Sequence, residues 1–285
     1  MQCAYSDMPQ KKVLHIKELT IPCGEMVFFV GPSGIGKSTI LEAMGLMNKT
    51  IMDGCEKFDY MGQDMREWWN LSDKAQSKFR LQEFSFIFQS NNLMTNFSVW
   101  ENVKATALFQ GMTNKEAENK KRNIFEATNL MELLDFSNER ITKFSGGQRQ
   151  RMAFARAIMP KFNVLFGDEP TGNLDPSTAQ TIMGNLRDIL KQNNDKTAII
   201  VSHDIRLATM FADRIVLFHK VEGNSEQPVD GENKNHYGLI DNKSIYIRTD
   251  SGWTDFADTK YNNERLSEYL SQQMRDETLG KEAIQ

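Results

Sequence analysis

The sequence predicts an α/β fold with a mostly parallel core sheet, and three observations carry that reading. Five short apolar runs, Val27 to Val30, Phe84 to Phe88, Val164 to Phe166, Ala198 to Val201 and Ile215 to Phe218, are each followed by a polar or glycine-containing turn and a helical stretch. The first run opens into a glycine-rich loop and then into helix-compatible residues from Ser38 to Leu46. Gly31, Gln89, Asp168 with Glu169, and His203 each follow the carboxyl end of such a run, where an open parallel sheet gathers its functional groups.

In chain order, Gly31-Pro32-Ser33-Gly34-Ile35-Gly36-Lys37-Ser38-Thr39 comes first. Gly31, Gly34 and Gly36 let the backbone curl so that successive N–H groups point inward, and the following helix start favours the same negative charge. Lys37 then reaches the β- and γ-phosphates of a nucleotide, and the Ser38 hydroxyl suits Mg²⁺. Residues 48 to 80 are polar and aromatic, with Trp68 and Trp69 adjacent, and read as packing in an antiparallel edge layer. Gln89 is an amide placed where the core hands over to residues 93 to 158, which read as an inserted helical subdomain. Thr113 to Glu116 forms a capping box there, and Ile124, Ala127, Leu130, Met131 and Leu134 recur at helical spacing.

Ser145-Gly146-Gly147-Gln148 sets a hydroxyl, two residues without Cβ and an amide at a second helix start suited to an anion. One domain needs only one γ-phosphate site, so the second implies a site completed in another copy. The strand at Val164 delivers Asp168, an oxygen ligand for a hard cation, and Glu169, which polarises an attacking water. His203, after the fourth run, can hydrogen-bond the γ-phosphate.

The 34 basic and 38 acidic side chains of the 285 residues argue against a nucleic-acid-coating surface. No apolar stretch approaches the roughly 20 residues of a membrane span, and no charged-then-apolar leader opens the sequence. Cys3, Cys23 and Cys55 have neither metal-ligand spacing nor an even count, which fits reduced thiols in a cytosol. After Lys220 the character changes. Val221 to Asn235 reads as a flexible connector or hairpin tip, Tyr237 to Ile240 and Ser244 to Arg248 read as a hairpin around Asp241-Asn242-Lys243, and Leu266, Tyr269, Leu270 and Met274 share one face of a terminal helix. The division expected is a domain over 1–220 and a C-terminal extension over 221–285.

These residues resemble the ATP-binding-cassette (ABC) family. Gly31 to Thr39 is similar to its Walker A loop, Gln89 to its Q-loop, Ser145 to Gln148 to its signature, Val164 to Glu169 to its Walker B strand, Gly172 to Asp175 to its D-loop, and His203 to its switch histidine. The phrases around Gln89 and Glu169 are most similar to the lipoprotein-release, macrolide-export and cell-division ATPases of that family. The resemblance implies a phosphate-loop cassette with an antiparallel edge layer and a helical insertion. Its cofactors would be ATP and Mg²⁺, the ion held by Ser38, Gln89 and Asp168. Two copies would pack head to tail, each ATP lying between one copy's loop and the other's Ser145, Gly146, Gly147 and Gln148, with Asp175 nearby. Glu169 and His203 would be catalytic, integral membrane subunits the other partners, and the cytoplasmic face of the inner membrane the location. Tyr5 stands where an aromatic stacks on adenine, although few residues precede it to complete an edge strand. Phe144 replaces the family's usual leucine, an apolar exchange of little consequence.

Other readings share part of this pattern. A cell-division regulator has every motif. A soluble cassette ATPase acting on DNA or ribosomes usually carries two cassettes or long heptad insertions, and neither is present. A simple phosphate-loop kinase leaves Ser145 to Gln148 and His203 idle.

Overall fold

The strand Met26–Val30 buries all five of its side chains, as a continuous apolar run in a parallel sheet must. It is one of fourteen strands among the residues described by the computed structural model, which are 1–5, 8–51, 55–192, 195–222 and 236–279. The chain divides into two compact units. The first comprises Met1–Ile21, Val27–Gln76 and His203–Gln285, and the second Pro22–Met26 and Ser77–Ser202.

In the first unit, Met26–Val30 pairs in parallel with Arg214–Leu217, and the Phe29 and Phe218 rings meet beneath them with centroids 5.3 Å apart. Arg214–Leu217 then takes Ile245–Thr249 as an antiparallel neighbour, followed by Gly252–Thr254 and Lys260–Tyr261. A second sheet runs in the order Gln2–Tyr5, Met8–Ile16, His236–Ile240, His219–Glu222. Its pairing is antiparallel except between Met8–Ile16 and His236–Ile240. An antiparallel layer is expected from the sequence at residues 48 to 80; this sheet is built instead from residues 2–5, 8–16, 219–222 and 236–240. Trp68 closes a short helix, Met65–Trp68, that follows a small hairpin of Asp59–Tyr60 and Gln63–Asp64, and both Trp68 and Trp69 are half-buried.

The hairpin expected from Tyr237 to Arg248 does not form. His236–Ile240 lies between Met8–Ile16 and His219–Glu222, whereas Ile245–Thr249 joins the other sheet. Between them, the 3₁₀ turn Asn242–Ser244 is closed by reciprocal hydrogen bonds of Asp241 and Ser244, which redirect the chain rather than fold it back. The antiparallel partner of His236–Ile240 is His219–Glu222. The connector expected at Val221 to Asn235 lies, from residue 223 onward, outside the described residues. Residues 236–279 therefore supply strands to both sheets of the first unit instead of standing apart as an appendage.

The terminal helix Asn263–Leu279 packs on the helix Ile205–Phe211 and on the strands Gly252–Thr254 and Lys260–Tyr261. Leu266 and Leu270 are fully buried, and Tyr269 joins Tyr246 and Tyr261 in a ring cluster with centroids 5.7 to 6.2 Å apart. Burial pushes the Tyr246 phenol far above its ordinary range. Trp253 anchors the same corner: its Nε1 donates to Asn263 Oδ1 at 2.9 Å, and the Arg248 guanidinium lies 4.4 Å over its ring.

The second unit is built on Phe84–Ile87, Val164–Asp168 and Thr197–Val201, paired in parallel so that Phe86, Phe166 and Ile199 lie side by side. Edge-on and stacked contacts of Phe166 with Phe84 and Phe86, at 5.2 and 5.3 Å, fill one face. The helical part consists of Val99–Phe109, Asn114–Ala127 and Gly146–Ile158, each opened by a capping box, at Ser98 with Glu101, Thr113 with Glu116 and Ser145 with Gln148. Hydrogen bonds from Ser98 and Thr113 hold the Glu101 and Glu116 carboxyls below the usual carboxylate range. The core joins Val99, Trp100, Val103, Phe125, Leu130 and Met152.

The apolar repeat from Ile124 to Leu134 outruns its helix, which ends at Ala127. Asn129 adopts φ 53°, and Leu130 N donates to Phe125 O at 2.7 Å, a left-handed stop that still returns Leu130 to the core. Among the described residues no helix is long and apolar enough to cross a membrane.

Leu270→Ala is expected to cost about 2–5 kcal/mol in urea denaturation by emptying a closed pocket, whereas Glu268→Ala on the exposed face of the same helix shifts stability by less than about 0.5 kcal/mol. Equal effects would show that the helix is not docked.

Candidate functional site

The phosphate loop belongs to the first unit. Its strand ends at Val30, and the chain passes through Gly31 at φ 152°, Gly34 at 74° and Gly36 at 97° before the helix Lys37–Met44 begins. Gly36 is the decisive position. It is the N-cap residue in a left-handed conformation, and a Cβ there would lie 3.2 Å from Val13 Cγ1 and 3.3 Å from Val13 O. The loop thus rests directly on the strand Met8–Ile16. The helix has no side-chain hydrogen bond at its N-cap, unlike those starting after Ser98, Thr113, Ser145, Asp175 and Asp204.

Lys37 is only 5% exposed, and its Nζ donates to Gly31 O at 2.8 Å and Pro32 O at 2.7 Å. A buried ammonium favours negative charge beside it. Ile35 and Thr39 are buried, Pro32 is half-buried, and Ser33 and Ser38 are exposed. His203 also lies in this unit, exposed, one residue ahead of Asp204, which caps the helix Ile205–Phe211 by accepting from Leu207 N at 3.1 Å. Tyr5 ends the strand Gln2–Tyr5, and its side chain lies outside the described residues.

In the second unit, Asp168 ends its strand half-buried and Glu169 turns away from it with φ 48°. That left-handed conformation costs a residue with a Cβ about 1–2 kcal/mol. Several hydrogen bonds hold it. Glu169 N donates to Val201 O at 3.0 Å, and Glu169 O accepts from Gly172 N at 3.2 Å and from Gln150 Nε2 at 3.0 Å. Gln150 Oε1 in turn accepts from Asn173 N at 2.7 Å, so one buried carboxamide fastens both Glu169 and the turn that follows. On the side-chain end, Gln89 Nε2 donates to Glu169 Oε2 at 3.4 Å. Two residues expected at the site from sequence, Gln89 and Glu169, are therefore brought together.

Just past Gln89, Asn91 and Asn92 are both left-handed, with φ 62° and 46°. Arg156 donates to both carbonyls, at 2.7 and 2.6 Å. Burial lowers the Arg156 pKa, and at neutral pH the guanidinium stays charged. Ser145 and Gln148 close their capping box with Ser145 Oγ accepting from Gln148 N at 3.2 Å and Gln148 Oε1 accepting from Ser145 N at 2.9 Å. The serine hydroxyl keeps its proton to donate outward. Ser145 and Gly146 are exposed, and Gly147 is half-buried. Asp175 caps the helix Pro176–Lys191 by accepting from Thr178 N at 3.0 Å, and hydrogen bonding from the Thr178 side chain and then its backbone holds the Asp175 carboxyl below the ordinary range.

Gln150 and Arg156 are the residues that sequence reasoning missed. The signal was present for Gln150: it shares helical spacing with Ala153, Phe154 and Ala157, all buried, which makes it a polar side chain on an apolar face. Among the described residues no group of three or more His, Cys, Asp or Glu side chains could hold a metal by itself. Ser38 in the first unit exposes a hydroxyl and Asp168 in the second carries a carboxylate at its strand end, and each is by itself a hard oxygen donor of the kind Mg²⁺ accepts.

Comparison with known proteins agrees with this geometry. The model of the family described as "ABC transporter" matches residues 14–172. The chain is 37% identical over 213 residues to a lipoprotein-releasing system ATP-binding protein, LolD, from Nitratidesulfovibrio vulgaris, covering 74% of this chain and 87% of that one. It is 32% identical over 250 residues to a macrolide export ATP-binding/permease protein, MacB, from Salmonella choleraesuis, covering 87% of this chain and 36% of that much longer protein. The dimeric post-hydrolysis structure of the ATP-binding cassette MJ0796 bound to ADP and Pi superposes with a TM-score of 0.61 at 31% identity, covering 70% of this chain and 83% of that one. A loop built to hold phosphate, a strand-end carboxylate pair and a capped glycine helix start, in a sequence matched over more than half its length, make this chain a member of the ABC transporter family and an ATP-binding, ATP-hydrolysing cassette.

Proposed function

We propose that the chain is the ATPase subunit of a membrane transporter or extraction complex of the lipoprotein-release type, working as a homodimer whose copies face head to tail across ATP. The observation that carries this reading is the presence of two glycine-rich helix starts in one chain, after Gly36 and after Ser145. One nucleotide engages one phosphate loop. The second start, with an outward hydroxyl and exposed glycine, serves the γ-phosphate of the ATP held by the other copy. The dimeric neighbour and the names of the relatives support the arrangement.

Each residue then has a role. Lys37 and the loop N–H groups bind the β- and γ-phosphates. Ser38, Gln89 and Asp168 would hold Mg²⁺ through their oxygens, and the ion would neutralise phosphate charge. Glu169 orients and polarises the attacking water, and Gln89, already on its carboxylate, links that group to the helical part. His203 donates to the γ-phosphate, Asp175 lies beside the shared nucleotide, and Tyr5 stacks on adenine. The partners are integral membrane subunits, met at the cytoplasmic face of the inner membrane. The nearly balanced charge, 34 basic against 38 acidic groups, gives nucleic acid no hold.

Glu169→Gln is expected to bind ATP and dimerise while phosphate release falls at least about 100-fold, because the general base is lost with the side-chain volume kept. Turnover near wild type in that variant would remove Glu169 from the chemistry. Ser145→Arg should bind ATP as a monomer and fail to dimerise in sedimentation, since a bulky cation replaces the capping hydroxyl. ATP-driven dimers of normal affinity would contradict the shared site.

A further inference from the structure

The strand His236–Ile240 stands in a region to which the sequence assigned no role, and it touches the phosphate loop. We propose that this strand is an outer brace of the loop and that Gly238 is the positioning residue through which it sets nucleotide affinity. The inference rests on the reading of Gly31–Thr39 as the nucleotide loop.

Gly238 is buried, opposite Leu14 on one side and Lys220 on the other. A Cβ placed on it would lie 2.3 Å from Ile35 O, 2.9 Å from Leu14 Cδ1 and 3.3 Å from Ile35 Cγ1. The nearest of these atoms is main chain, and it belongs to the residue between Gly34 and Gly36. No rotamer change relieves such a contact; either the strand or the loop has to move.

The strand is the stiffer of the two. It is hydrogen-bonded on both edges, Lys17 N donates to Ile240 O at 2.9 Å, Ile240 is fully buried, and the Lys12 ammonium lies 4.9 Å over the Tyr237 ring. The loop is less closely packed at its Gly34 end, where a Cβ would meet nothing within 4 Å. A side chain at 238 therefore displaces Ile35 and re-aims the N–H groups on which phosphate binding depends, while Glu169 and its hydrogen bonds, carried by other strands, keep their geometry.

Gly252 provides an internal comparison. It is equally crowded, with a Cβ position 2.3 Å from Tyr261 O at φ 134°, but its neighbour is the edge strand Lys260–Tyr261 and not the loop. ATP affinity by calorimetry, KM and kcat by phosphate release, and Tm by circular dichroism distinguish the two. Gly238→Ala should raise Kd and KM for ATP by about tenfold with kcat at saturation within about twofold, and Gly252→Ala should lower Tm without changing ATP affinity. Wild-type affinity in Gly238→Ala, or equal losses in both variants, would overturn the proposal. Should Gly238→Ala fail to fold, Ile240→Ala loosens the brace instead of crowding it. A loss of about threefold in ATP affinity is then expected, and an unchanged Kd in the folded variant refutes the brace. A wild-type chain that binds no ATP would overturn the nucleotide-loop reading, and this inference with it.

Discussion

Everything this chain can do with a nucleotide depends on a short piece of backbone being held still. The phosphate loop offers main-chain N–H groups and one ammonium, so its specificity lies in where those groups point and not in which side chains surround them. Such a loop needs external support, because left-handed residues without side chains have the most freedom to lose. The support is visible at Gly36, pressed on Val13, and at Ile35, pressed by Gly238. Lys37, folded onto the carbonyls of Gly31 and Pro32, adds a charged strut from within. The strands that do this come from both ends of the chain, Met8–Ile16 and His236–Ile240. What reads as an extension in sequence is structurally part of the loop's foundation.

In the second unit the corresponding constraint is on Glu169. Its left-handed backbone is unfavourable by about 1–2 kcal/mol, and net hydrogen-bond contributions of about 1 kcal/mol each, from Val201, Gly172 and Gln150, suffice to offset it. Gln150 belongs to the same helix that begins at Ser145, and Arg156, two turns further, fixes the carbonyls of Asn91 and Asn92. One helix therefore carries the second glycine-rich start, the fastening of the proposed general base and the anchoring of the segment after Gln89. A small rotation of that helix would be felt at all three places, which is the kind of packed, two-position element through which sites influence each other.

Much of this was legible in the sequence because the relevant signals are local. The five apolar runs became the five parallel strands, since a strand buried on both faces has to be apolar throughout. The capping box at Thr113 and the helix start at Ser145 appeared as read, because both are signalled by residues within one turn. Partnership was not legible. The alternation in Tyr237–Ile240 and Ser244–Arg248 tells which faces are buried and not which strand lies alongside, and proximity in sequence wrongly suggested a hairpin. The stop at Asn129 was hidden by apolar residues that continue past it to reach the core by another path. Gly238 looked like any strand glycine; its meaning comes from a loop about two hundred positions away.

The central claim is that each ATP is touched by the phosphate loop of one copy and by the second glycine-rich helix start of another. Hydrogen exchange of the main-chain amides, followed with a slowly hydrolysed ATP analogue and Mg²⁺ across a range of protein concentrations, reads both ends at once. The account predicts that residues 34–39 slow at every concentration, and that residues 146–148 slow only as the chain becomes concentrated enough to pair. Protection of the loop with no change at residues 146–148, even at the highest concentration, would contradict it.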